Sequence, residues 1–178
     1  RRCAPRPLIQ GTPPGFVNTA EDDRREGDRM LTRDALLAYA HFICIFALAS
    51  LLVGELFVLR KTLPADLVRR LQGIDRWYGI VAGLVIASGL ARLFVGIKGA
   101  AFYTHNPVFW TKMGLFVAVA LISIAPTIAY VRWNARRLPD GSIVLDDAEL
   151  ARLRRLLWLQ VVLFLFIPLC ASFMARGL

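Results

Sequence analysis

Three basic or ionisable side chains interrupt long apolar runs in this chain: His41, Arg92 and Lys112. Neutral imidazole is a good axial ligand for haem iron and a good ligand for copper. Arginine and lysine are the natural partners of carboxylates. A histidine held between two such cations would suit an iron porphyrin, with the imidazole on the metal and the cations on its propionates. His41 is accordingly the candidate ligand of a haem b iron, and Arg92 and Lys112 are the candidate propionate partners. Cys44 lies three residues beyond His41, and Cys170 and Met174 sit near the chain end. With His41 they would make a soft copper(I) set. No CxxC pair or zinc spacing accompanies them.

A second polar group is Glu55 with Gln160. Glu55 follows His41 by fourteen residues, which on a helix brings it within about 40° of the same face. A Glu55–Gln160 hydrogen bond, or an ion pair between Glu55 and Arg76, is the structural reading of that group. A proton path from Glu55 toward His41 is the functional one. His105 and Asn106 belong to a short polar loop, 98–106, that would close over the His41 level.

The elements that position these residues follow from composition. Of the 178 residues 57% are hydrophobic, and the 20% that are charged fall in bursts between apolar runs. About 20 consecutive apolar residues suffice to cross a bilayer. Four runs qualify, at about 35–59, 77–97, 108–131 and 156–175. The expected fold is therefore all-α: an integral membrane, antiparallel four-helix bundle. Pro64 is expected to open the helix leading into the second span. Asn106-Pro107 caps the third, Asp140-Gly141 makes a turn, and Asp146-Asp147 starts the fourth helix. Gly79, Gly83 and Ala87 form a small-residue stripe that would let a neighbouring helix approach closely. Pro126 and Pro168 are expected to kink the third and fourth spans.

Residues 1–29 carry Pro5, Pro7, Pro13 and Pro14 and no apolar periodicity. They read as a disordered prefix to a membrane domain at 30–178. Met30 directly precedes the first span, so a translation start there, with the prefix a gene-model artefact, is the expectation.

Formal net charge is +9. The cations flank apolar runs, so topology accounts for them better than nucleic-acid binding does. Loop 60–76 holds Arg60, Lys61, Arg69, Arg70 and Arg76, and loop 132–155 holds six arginines. Loop 98–106 holds only Lys98. The positive-inside rule puts the two basic loops in the cytoplasm and both termini outside, in the periplasm. At about 1.5 Å per residue, His41, Arg92 and Lys112 then share one depth, roughly 6–10 Å below the outer edge of the hydrocarbon. There is no nucleotide-binding loop, hydrolase elbow or HExxH element.

The stretch from Met30 to Leu178 resembles a bacterial membrane family, the domain-of-unknown-function family twenty-two-fourteen. The resemblance rests on Ala38-Tyr39-Ala40-His41-Phe42, Gly54-Glu55-Leu56, Asp75-Arg76-Trp77-Tyr78-Gly79, Gly89-Leu90-Ala91-Arg92, the segment from Lys98 to Lys112, and Met174-Ala175-Arg176-Gly177. It implies a four-span protein of the bacterial inner membrane and brings no activity. More remotely, the layout is similar to HemJ-type protoporphyrinogen oxidases and copper-resistance D type proteins. The former have a Trp-x-x-Lys element, where this chain has Trp110-Thr111-Lys112. That likeness implies His41 as a haem b ligand, Lys112 as a second essential residue, and a redox or tetrapyrrole-related role. The rival expectations are copper handling and a non-enzymatic accessory or permease-like bundle, working as a homo-oligomer or with a membrane partner.

Overall fold

The fold was analysed from a computed structural model of the full chain. The structure describes residues 14–95, 104–105 and 107–175, with side chains over 21–95, 104–105 and 107–173. Among the described residues four long helices carry it: α1 (Pro14–Val58), α2 (Ala65–Val95), α3 (Pro107–Arg132) and α4 (Asp147–Ala175). Each contains a segment long and apolar enough to cross a membrane. With no water in the hydrocarbon, every backbone N–H and C=O there must be paired within the helix, so long uninterrupted helices are what such sequences make. Phe46, Phe57, Phe94 and Leu165 point outward, where lipid replaces water as solvent. The chain is thus an all-α membrane bundle of four antiparallel spans.

Helix starts fall where local chemistry puts them. The Val68 amide donates to the Pro64 carbonyl at 3.1 Å, and the Leu150 amide to that of Asp146 at 2.9 Å. Pro107 is the first residue of α3; proline's missing N–H costs nothing there. α2 and α4 therefore begin well before their apolar segments and project at one end. Pro126 and Pro168 lie inside continuous helices. Hydroxyls beside them bond back along the helix, from Thr127 to the Ser123 carbonyl at 3.1 Å and from Ser172 to that of Pro168 at 2.9 Å.

Two features differ from the sequence expectation. Residues 14–29 are helical rather than disordered, continuous with the first span; Arg25 and Glu21 pair one turn apart there at 3.6 Å. Residues 1–13 lie outside the described residues. The second feature is a small extramembrane cap at the basic end of the bundle. β1 (Thr62–Leu63) pairs antiparallel with β2 (Ile143–Val144), Leu63 opposite Ile143. A 3₁₀ turn, Trp133–Arg136, closes α3 beside it. Leu59, Leu63, Val68, Leu71, Trp133, Ile143, Leu145, Leu153 and Leu157 are almost fully buried here. At this end water is the solvent, so burial gains the full hydrophobic term, about 1.5–3 kcal/mol per large side chain. Inside the bilayer that term vanishes, because lipid is as apolar as leucine.

The bundle is built from two close pairs, α1 with α2 and α3 with α4; α2 meets α3 far less. The stripe Gly79, Gly83 and Ala87 is exposed, and a Cβ at Gly79 or Gly83 would meet nothing within 4 Å. It does not seat a helix of this chain, contrary to expectation; α2 meets α1 on another face, where Ser88 and Gly89 lie against His41.

Candidate functional site

Polar side chains gather at two levels of the bundle. At the level away from the cap, His41 on α1 is buried against α2. Its Nδ1 lies 2.8 Å from the Ser88 hydroxyl. That hydroxyl also reaches the Leu84 carbonyl at 2.7 Å and the Val85 carbonyl at 3.2 Å. A hydroxyl has one proton, and carbonyls only accept. With the proton on a backbone carbonyl, His41 donates Nδ1–H to Ser88, and Nε2 keeps its lone pair. Gly89 completes the seat: a Cβ there would come within 3.3 Å of His41 Cε1. The imidazole lies against bare helix backbone.

Arg92 and Lys112 are half-buried and close enough for their charges to act on His41, and they act on each other. Three helices thus bring these residues together. Arg92 Nε is buried without a hydrogen-bond partner among the described residues. Among the described residues no ion pair neutralises either cation. Two desolvated like charges beside an imidazole favour an anion between them. Cys170 on α4 lies within electrostatic reach of Lys112. Among the described residues, however, no three His, Cys, Asp or Glu side chains converge as a metal site. His41, Cys44 and Cys170 therefore do not form the copper set, and the Met174 side chain lies outside the described residues. His105 is exposed beside Thr104, whose carbonyl accepts from Trp110 Nε1 at 3.0 Å. Asn106 and most of the covering loop lie outside the described residues.

The level nearer the cap takes one side chain from each helix: Glu55 (α1), Tyr78 (α2), Tyr130 (α3) and Gln160 (α4), all buried. Tyr130 Oη donates to Glu55 Oε2 at 3.4 Å, and Tyr78 Oη to Gln160 Oε1 at 3.5 Å. The expected Glu55–Gln160 bond is replaced by these two tyrosine bonds, and Arg76 is exposed and makes no ion pair with Glu55. Both Glu55 Oε1 and Gln160 Nε2 remain without partners among the described residues. Just outside, Thr127 donates to Asp75 Oδ1 at 2.7 Å, and Gln72 Nε2 donates to the Tyr130 carbonyl at 2.7 Å. Fourteen helical residues, about 21 Å, separate this level from His41. The inward side of α1 between them is apolar, with Leu48 and Leu52 buried.

Sequence reasoning missed Ser88, Gly89, Tyr78 and Tyr130 as site residues. A serine and a glycine in an apolar helix carry no signal until a partner helix is placed. Tyrosines in spans read equally well as interface anchors.

This arrangement defines a four-helix membrane protein with a buried histidine beside two cationic side chains at one level and a buried, partly unpaired polar quartet at the other. Residues 33–178 match the family described as "Predicted membrane protein (DUF2214)", and the chain belongs to that family. No curated protein and no solved structure matches it.

Proposed function

We propose that this chain is a bacterial inner-membrane binding protein whose His41 level holds an acidic cofactor, with haem b the candidate and a redox or tetrapyrrole-related role. The observation that supports this most is the His41–Ser88 contact at 2.8 Å. Histidines that ligate metals commonly donate their other ring N–H to a fixed acceptor, which sets tautomer and ring orientation. The Ser88 contact of His41 suits that role, and among the described residues no ion pair neutralises the two cations at its level. The residues fit the group: His41 would hold the iron, and Arg92 and Lys112 its propionates. Haem, when bound, supplies one-electron chemistry. The chain's own part is to orient the imidazole through Ser88 and Gly89, to supply positive charge for carboxylates, and to exclude water with the surrounding apolar spans. The basic loops favour an orientation with the cap in the cytoplasm and both termini periplasmic.

An absorption spectrum of the purified protein, reduced minus oxidised, after expression with ample haem tests this reading. Bands of b-type haem that disappear in His41→Ala are expected. A protein without visible absorption under those conditions sinks it.

The second reading is an accessory or permease-like bundle without a cofactor. It is favoured by the quartet of Glu55, Tyr78, Tyr130 and Gln160, whose unpaired buried atoms are costly in a membrane and so suggest a polar guest or a proton. Colourless protein whose proton uptake in vesicles depends on Glu55 would support it instead.

A further inference from the structure

The seam between α2 and α3 is the least closed part of the bundle, and a cavity of about 250 Å³ lies in it. Its lining is graded. Asp75 and Arg76 on α2 and Thr127 on α3 line its end nearer the cap. Seven residues further along α2, and seven earlier along α3, the lining is Ala82 and Ala120. The two helices run antiparallel, so both pass from polar to apolar in one direction over about 10 Å. Gly79 lines the same cavity, and a Cβ there would meet open space. The space is too small for a helix and suited to a stretch of one acyl chain.

The polar end has a particular charge pattern. Asp75 and Arg76 are consecutive on α2, so they point in different directions and do not face each other. Among the described residues neither enters an ion pair. Asp75 uses one oxygen, Oδ1, for the Thr127 hydroxyl. A guest that fits carries a hydrogen-bonding cation and an anion a few bonds apart, above a long apolar tail. Both source helices lie in the bilayer, so such a guest arrives by lateral diffusion.

We propose that this seam binds an aminophospholipid: a primary ammonium on Asp75, the phosphate on Arg76, and one acyl chain along Gly79, Ala82 and Ala120. Charge-assisted hydrogen bonds account for head-group choice. A quaternary ammonium has no N–H to give Asp75, and an anionic head without an amine leaves Asp75 unpaired. The inference does not depend on the haem reading, which concerns the other level of the bundle.

Native mass spectrometry on the delipidated full chain tests it, with dioleoyl phosphatidylethanolamine, phosphatidylcholine and phosphatidylglycerol offered in turn, and phosphoethanolamine as the chainless head. The expected result is a one-to-one ethanolamine-lipid adduct about tenfold tighter than the choline lipid, in line with a charge-assisted bond. Asp75→Asn should erase that preference while overall lipid binding persists. Ala120→Leu should fill the seam and weaken every lipid; if it fails to fold by circular dichroism, Gly79→Leu takes its place. Phosphoethanolamine should not compete. Equal binding of the ethanolamine and choline lipids overturns the proposal. So does tighter binding of the glycerol lipid, unchanged binding after the seam is filled, or binding of the chainless head alone.

Discussion

The imidazole Nδ1 of His41 stands 2.8 Å from the hydroxyl of Ser88, across one of the two close helix pairs of the bundle. Ser88 is itself anchored to the carbonyl one turn back at 2.7 Å. The ring is therefore held by a group that cannot rotate freely. Ser88→Ala removes the anchor without touching Arg92 or Lys112. If His41 ligates haem, cofactor retention should fall about 10- to 100-fold. Titrating haem into Ser88→Ala protein and following the Soret band measures it; unchanged affinity would show that the anchor is packing only.

Gly89 sets how closely that ring can lie. A methyl there would sit 3.3 Å from Cε1, which requires a shift of a few tenths of an ångström, and a larger side chain cannot be accommodated without expelling the ring. Gly89→Ala should be tolerated, whereas Gly89→Leu should displace His41. Histidine ring resonances of the detergent-solubilised protein distinguish the two: a small shift for alanine, a new environment for leucine.

Glu55 and Tyr130 form a buried pair of which one partner cannot be removed cleanly. Glu55→Leu strands the Tyr130 hydroxyl, and a stranded buried donor costs about 1–3 kcal/mol. Combining it with Tyr130→Phe removes both polar groups, and stability should return close to wild type. Thermal midpoints of the two single variants and the double variant in one detergent test this. A double variant less stable than either single would mean that the quartet contributes more than its internal bonds.

The cap turn depends on Gly141, whose φ is 77°. A Cβ there would also come within 3.0 Å of the Ala65 Cβ. Gly141→Ala should destabilise by about 1–3 kcal/mol. Gly27→Ala, in an exposed helical stretch with nothing within 4 Å, should not destabilise at all. A lower thermal midpoint for the first and not for the second is the expected pattern.

The same turn predicts a pH dependence. Asp140 Oδ1 accepts from Ser142 Oγ at 2.7 Å and from its amide at 3.0 Å. Those bonds favour the carboxylate and hold Asp140 below its ordinary 3.8. A folded value below the unfolded one stabilises at pH above the unfolded value. The contribution is lost as pH falls through the folded value, so the window lies below about pH 4. The gap in thermal midpoint between wild type and Asp140→Asn should be constant above that pH and close beneath it. A constant gap throughout would place the stabilisation elsewhere in the turn.

The residues determined a good deal by themselves. Four apolar runs of membrane-spanning length, Pro64 and Pro107 at helix starts, and Asp140-Gly141 at a turn specify the spans and their order. Each rests on backbone chemistry local to a few residues or on transfer between water and lipid. That His41, Arg92 and Lys112 come within electrostatic reach of one another was also legible, because counting residues along each span aligns them. What only the tertiary structure decided is azimuth and partnership: that His41 faces Ser88 and Gly89, and that Glu55 and Gln160 meet tyrosines rather than each other. It also decided that the glycine stripe faces outward and that the cap strands pair across 80 residues of chain. In a bilayer apolar side chains are equally at home facing lipid or a neighbouring helix. Hydrophobic periodicity therefore says little about which face turns inward, and close packing among specific side chains has to choose.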